Sequence, residues 1–298
     1  MGHFFEHLWE ILSHTLIDTA KIVPFLFLTY FLMELLEHKS GSAAENWLRR
    51  SRRIGPLLGG ALGVLPQCGF SAAASGLYSG RIITVGTLIA VYLSTSDEML
   101  PIMISHGAPF SFVIRVLLAK LVVGILAGFA VDGVICLIRK KRKIVVEPQI
   151  EEFCERENCR CGDHFAVSAI RHTVKITLFI LAFTFLLNVL IHSVGEDRLA
   201  DLILTRPILA NLLSAVVGLI PNCASSVVIT ELYLSGILSV GAMLSGLLVN
   251  AGVALALLFR NNRPLRDSFR ILLILFAIGT VVGITVDLTP ISDWLSIR

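Results

Sequence analysis

Two short stretches hold the residues best suited to chemistry. GVLPQC (63–68) and GLIPNC (218–223) each set a proline, a carboxamide and a cysteine inside a long apolar run. Proline removes a backbone donor and interrupts a helix. Gln67 and Asn222 offer carbonyl oxygens there, and Cys68 and Cys223 offer sulfur. Thiolates suit soft or borderline metals, whereas amide and carboxylate oxygens suit Mn or Mg. The mixture points to ligand binding at broken backbone without choosing the ion. The blander alternative is a pair of tight turns filled by small apolar cysteines.

A third stretch, LSTSDEMLP (93–101), runs Ser94, Thr95 and Ser96 into Asp97 and Glu98, inside another apolar segment. An ionisable residue within a membrane segment marks a functional position. Asp97 is the first candidate for carrying a proton or coupling ion, and Glu231, two residues before Tyr233, is the second. In the other half the matching stretch, 249–252, offers Asn250 and no acid. Lys21 and Lys175 are duplicated but read as helix-face residues. Arg115 and Arg270, and Asp132 and Asp287, read as interface anchors at segment ends.

A fourth cluster lies in EEFCERENCRCGDHF (151–165). Cys154, Cys159, Cys161 and His164 are spaced C-x4-C-x-C-x2-H. Three thiols and an imidazole can hold Zn or another thiophilic ion, although the spacing is not that of a zinc finger. The alternative is a solvated linker whose cysteines stay reduced in the cytoplasm.

The elements that must position these residues are membrane helices. Of 298 residues, 55% are hydrophobic and 16% charged, against about 25% charged in soluble domains. Apolar runs of roughly 20 residues recur along the chain, too continuous for barrel strands. The expected class is therefore an all-α polytopic membrane protein of about ten segments.

The chain also repeats itself. At an offset of 155, Gly63, Pro66, Cys68, Ser71, Tyr78, Arg115 and Asp132 meet Gly218, Pro221, Cys223, Ser226, Tyr233, Arg270 and Asp287. Gly124 and Gly128 meet Gly279 and Gly283, two G-x-x-x-G pairs that serve close helix packing. Residues 1–145 and 166–298 thus read as two membrane repeats of about five helical segments each, joined by the linker 146–165. Within each, a first helix (12–37 or 167–193) precedes a proline-broken pair (54–66 with 67–80, or 207–221 with 222–235). Two further helices complete it (82–105 and 112–138, or 237–259 and 268–289).

Loops 38–55, 139–165 and 260–270 carry the Lys and Arg excess that marks the cytoplasmic side. All three fall inside if each broken pair returns to the face it entered from. That places both termini outside and makes the repeats inverted, an architecture of secondary transporters. Arms of about 13–15 residues rise only about 20–22 Å, so the pairs read as re-entrant hairpins with Pro66-Gln67-Cys68 and Pro221-Asn222-Cys223 at their tips. No cleavable signal peptide is evident in residues 1–14.

With these stretches in view, the chain resembles the ten-transmembrane heavy-metal exporter family of bacteria, described as arsenic-efflux-like permeases or as manganese transporters. GVLPQCGFSAAASGLYSGRI, STSDEMLP and GLIPNCASSVVITELYLSGILS carry the resemblance, which covers nearly the whole chain. It implies a ten-helix permease of the cytoplasmic (inner) membrane that exports a metal or metalloid ion. The ion is then substrate, and no cofactor is required. Arsenite would favour thiols and Mn(II) oxygens; the proposed core holds two thiols, one short of a three-thiol arsenite site. Nothing in the chain resembles an ATP-binding motif, so transport is expected to be secondary. Expected partners are the bilayer, the ion and a second copy in a homodimer, with no nucleic acid. Competing readings are a proton- or sodium-coupled carrier of a small organic solute and an intramembrane enzyme. The duplication of the strongest features argues against the enzyme, since catalysis needs one asymmetric cluster.

Overall fold

In the computed structural model the described residues are 54–65, 68–96, 99–142 and 207–297, with isolated helical positions between 16 and 31 and between 170 and 186. Among them all regular structure is helical. The first half contains α1 (Ile54–Gly63) and α2 (Cys68–Ser79). Then come α3 (Val85–Ser94), α4 (Met99–Ser105) and the long α5 (Phe110–Arg142). The second half contains α6 (Pro207–Gly218), α7 (Ala224–Leu234), α8 (Val240–Val249) and α9 (Val253–Asn261). It closes with α10 (Leu265–Leu288) and α11 (Ile291–Leu295).

The hairpin arms are shorter than the spacing predicts. α1 stops at Gly63 and α6 at Gly218, each three residues before a proline. A proline disfavours helical backbone in the residue before it. Arms of 12 residues, as in α2 and α6, rise about 18 Å, well under the roughly 30 Å of a hydrocarbon core.

The segments expected at 82–105 and 237–259 are each broken in two. α3 ends at Ser94, where the Ser94 and Thr95 hydroxyls donate back to Ala90 O and Val91 O, both at 2.7 Å. α8 ends at Val249; Asn250 Oδ1 then accepts from Gly252 N at 2.9 Å, an Asx turn. Gly252 takes φ 53° and ψ −145°, a conformation open in practice to glycine alone. The two breaks fall at equivalent positions of the two halves.

Asp132 and Asp287 differ from the anchor reading given to them. Asp132, on α5, accepts from Gly86 N at 2.8 Å and Thr84 Oγ1 at 2.5 Å. Asp287, on α10, accepts from Gly241 N at 2.9 Å and Ser239 Oγ at 2.8 Å. Each carboxylate closes the N-terminus of the broken helix packed against it, where N–H groups lack partners and the helix dipole is positive. Thr84 and Ser239 supply the local cap, each accepting from an amide at 3.1 Å. Glycines make the approach feasible: a Cβ on Gly128 would meet Gly86 O, and one on Gly283 would meet Gly241 O. Arg115 ties α5 to the chain end by donating to Trp294 O, with its guanidinium 5.7 Å from the indole centroid.

Among the described residues, four stretches are long and apolar enough to cross a membrane: Val85–Ser105, Phe110–Ile138, Val240–Asn261 and Leu265–Leu288. The two broken ones are 75% and 89% buried; the two continuous ones are 11% and 33% buried. The continuous helices therefore face outward, with Leu118, Val122, Leu126 and Phe129 of α5 exposed. The broken helices lie inside, as they must, because irregular backbone survives at membrane depth only when shielded by protein or lining a cavity.

Candidate functional site

The two cysteine tips meet. Cys68 opens α2 and Cys223 immediately precedes α7, and their sulfurs stand 3.1 Å apart. The pair is separated in sequence by 155 residues, the repeat offset, so each thiol touches its own counterpart. Mutual contact of equivalent residues is what a two-fold axis passing between them produces. Local structure is duplicated as well. Ser71 Oγ donates to Cys68 O at 2.9 Å, and Ser226 Oγ donates to Cys223 O at 2.7 Å.

The thiols sit in apolar surroundings. Ala72, Ile82, Val253, Leu257 and Ile180 are buried in the same cluster, and Phe27, Phe31 and Phe179 pack against it. Cys68 is buried and Cys223 half-buried. Asn222, beside the second thiol, is buried, and its backbone carbonyl accepts from Ser225 Oγ at 2.7 Å.

The helix breaks form a second, polar cluster next to the tips. Ser96 Oγ donates to Val64 O at 2.7 Å, joining the first break to the first hairpin. Thr95, Ser96, Met99, Lys120, Ser226, Leu247 and Asn250 line one small cavity. Ser226 belongs to both groups, since it lines the cavity and bonds Cys223 O. Thr95 and Asn250 are repeat counterparts, so this cavity too brings equivalent positions together.

Among the sequence-predicted residues, Cys68, Cys223, Thr95, Ser96, Asn222 and Asn250 are thus gathered around the two tips and the two breaks. Ser94 is buried with its hydroxyl on its own helix, and its Oγ is what a Cβ on Gly63 would strike. Glu231 stands apart, half-buried in the last turn of α7, about 12 Å of helix rise beyond Cys223. Gln67, Asp97 and Glu98, and the linker residues Cys154, Cys159, Cys161 and His164, lie outside the described residues. Among the described residues no three His, Cys, Asp or Glu side chains gather to hold a metal.

Sequence reasoning missed Lys120. It is 1% exposed, inside a 33-residue apolar helix, and donates to Thr95 O and to Leu247 O, the latter at 2.8 Å. An ionisable residue at that depth was a readable signal. No repeat marks it, because the counterpart of Lys120 is Leu275.

A protein-family model described as "Putative, 10TM heavy-metal exporter" matches residues 5–183 and 163–296. No curated protein and no solved structure matches the chain.

Proposed function

The chain belongs to this ten-transmembrane heavy-metal exporter family, and from that premise we propose that it is a secondary-active permease that binds its metal or metalloid ion between the two hairpin tips. The observation that carries the reading is the 3.1 Å contact between Cys68 Sγ and Cys223 Sγ, set beside a cavity lined by both helix breaks. Sulfur from the tips supplies affinity for a thiophilic ion. Oxygens of Thr95, Ser96, Asn222 and Asn250, with Gln67, Asp97 and Glu98, complete the shell and replace its water. Two sulfurs on one tetrahedral Zn at about 2.3 Å stand roughly 3.8 Å apart, so capture of such an ion requires the tips to part by less than about 1 Å. A pyramidal metalloid, with bond angles near a right angle, needs less movement.

On this reading residues 1–145 and 166–298 are inverted repeats in the inner membrane, with both termini outside and loops 38–55, 139–165 and 260–270 in the cytoplasm. Support comes from the self-paired thiols and the matched caps of Asp132 and Asp287. Broken helices near the midplane, alternately opened to each side, are how such carriers work. Asp97 is the first candidate for proton or ion coupling and Glu231 the second. Cys154, Cys159, Cys161 and His164 of the linker would collect the ion on the cytoplasmic side before export. The protein is a carrier and not an enzyme.

The test is flux across sealed vesicles holding purified protein, with Mn(II), Zn(II), Co(II), Fe(II) and arsenite in turn. Each ion is run against Cys68→Ser, Cys223→Ser and Asp97→Asn. Movement of one ion that the cysteine variants abolish identifies substrate and site together. Transport that survives every substitution removes the site, and no movement of any ion by folded, oriented protein removes the metal reading in favour of an organic solute.

A further inference from the structure

Lys120 reaches from α5 to the ends of two other helices. Thr95 is the C-cap of α3, and Leu247 lies in the last turn of α8. Carbonyls of a last turn have no amide partner within the helix, and they carry the negative end of its dipole. Two such ends, one from each half, converge on the ammonium, which donates to Thr95 O and Leu247 O. Backbone carbonyls at helix breaks are the ligands that hold alkali cations in broken-helix carriers. A buried ammonium is stable only where such groups surround it, and the Thr95 and Leu247 oxygens are among those that do.

We propose that the Thr95 and Leu247 carbonyls form a monovalent-cation site whose resident is the ammonium of Lys120, a tethered cation that fastens the broken helix of one half to that of the other. The other half lacks the ammonium, because the residue equivalent to Lys120 is Leu275. It is also approachable. Lys120 borders an apolar cavity of about 340 Å³ with Val123, Leu244, Val282 and Trp294, and it also lines the polar cavity of Ser96 and Asn250, which is too tight to hold a water. Removing the side chain therefore opens the carbonyls to an alkylammonium entering from the apolar cavity.

Lys120→Ala deletes three methylenes and the ammonium, the outline of n-propylammonium. The full-length variant and wild type are purified in detergent and unfolded thermally with n-propylammonium, with n-propanol, and with neither. Lys120→Ala should melt below wild type and recover about 5 °C, saturably, with n-propylammonium. Wild type should not respond to the amine, and n-propanol should restore nothing. No response to the amine, or an equal response to the alcohol, overturns the proposal. If Lys120→Ala yields no folded protein, n-propylammonium is added during extraction; recovery of a monodisperse species supports the site, and its absence overturns it. Lys120→Met keeps the stem without the charge, and melting at the wild-type temperature also overturns the proposal. This readout needs no transport, so its failure leaves the permease reading standing, and a failed flux assay leaves the cation site standing.

Discussion

Tyr78 and Tyr233 are repeat counterparts, and each reaches the first turn of the other half's long helix, yet they meet opposite chemistry there. Tyr78 donates to Asp267 Oδ2 at 2.6 Å, and the same oxygen receives Arg81 at 3.0 Å and Asn262 at 3.3 Å. Tyr233 stacks on Phe112, with ring centroids 5.6 Å apart and planes within 12°. Phe112 stands where Asp267 stands in the other half, and Gly236 where Arg81 does. Deeper in, Ser75 Oγ bonds both Tyr92 OH, at 2.7 Å, and Ala254 O, at 2.9 Å. The corresponding trio is Thr230, Leu247 and Met99, and Thr230 donates within its own helix. The halves keep the same frame and close it with different forces. One junction is held by charge and hydrogen bonds, which water weakens; the other is held by packing, which water leaves intact.

Four experiments break or sharpen that contrast. The largest effect is expected at the packed junction. Phe112→Ala empties a fully buried ring site and should cost about 3 kcal/mol in detergent unfolding; a loss no greater than that of an exposed α5 leucine would dissolve the distinction. Next come the positions where the halves agree. Cys68→Ser and Cys223→Ser should each cut vesicle flux about 100-fold, near 2.7 kcal/mol, and the double variant little more, since one ligand pair is lost either way. Unequal single effects would show that the pair does not act as a unit. Asp267→Asn follows at about 2 kcal/mol, read as a lowered melting temperature that added salt does not lower further, in contrast to wild type. The smallest shift is expected at the caps. Asp132→Asn and Asp287→Asn should each cost about 1 kcal/mol. Asp287 also accepts from Asn211 Nδ2 at 2.7 Å, so Asn211→Ala should remove part of the same loss.

Much of this frame was legible in the residues. Long apolar runs made the helical membrane class readable, and the polar residues Ser94, Thr95, Ser96 and Asn250 marked places where helices end. The caps at Thr84 and Ser239 are local, each side chain accepting from the amide three residues on. Their carboxylate partners are not, because Asp132 lies 46 residues from Gly86 and nothing in a sequence window connects them. Asp132 and Asp287 consequently looked like charges parked at helix ends. The arm lengths were overestimated for a different reason: apolar composition continues through Leu65 and Ile220, while the backbone has already left the helix ahead of the proline. The meeting of Cys68 with Cys223 was not legible either, since a repeat tells which residues are equivalent and not whether they touch.

That meeting has a consequence for the transport cycle proposed above. When two inverted halves exchange conformations, every off-axis distance in one half becomes the matching distance in the other. A pair related by the axis is carried onto itself. On that proposed cycle the Cys68–Cys223 separation is an invariant of the exchange, the same in the state open to either side. An ion held by these two sulfurs alone would be bound equally tightly at both ends of its journey. Any bias between loading and release must then come from residues that have no twin, and Lys120, Asp97, Glu98 and Asp267 are such residues.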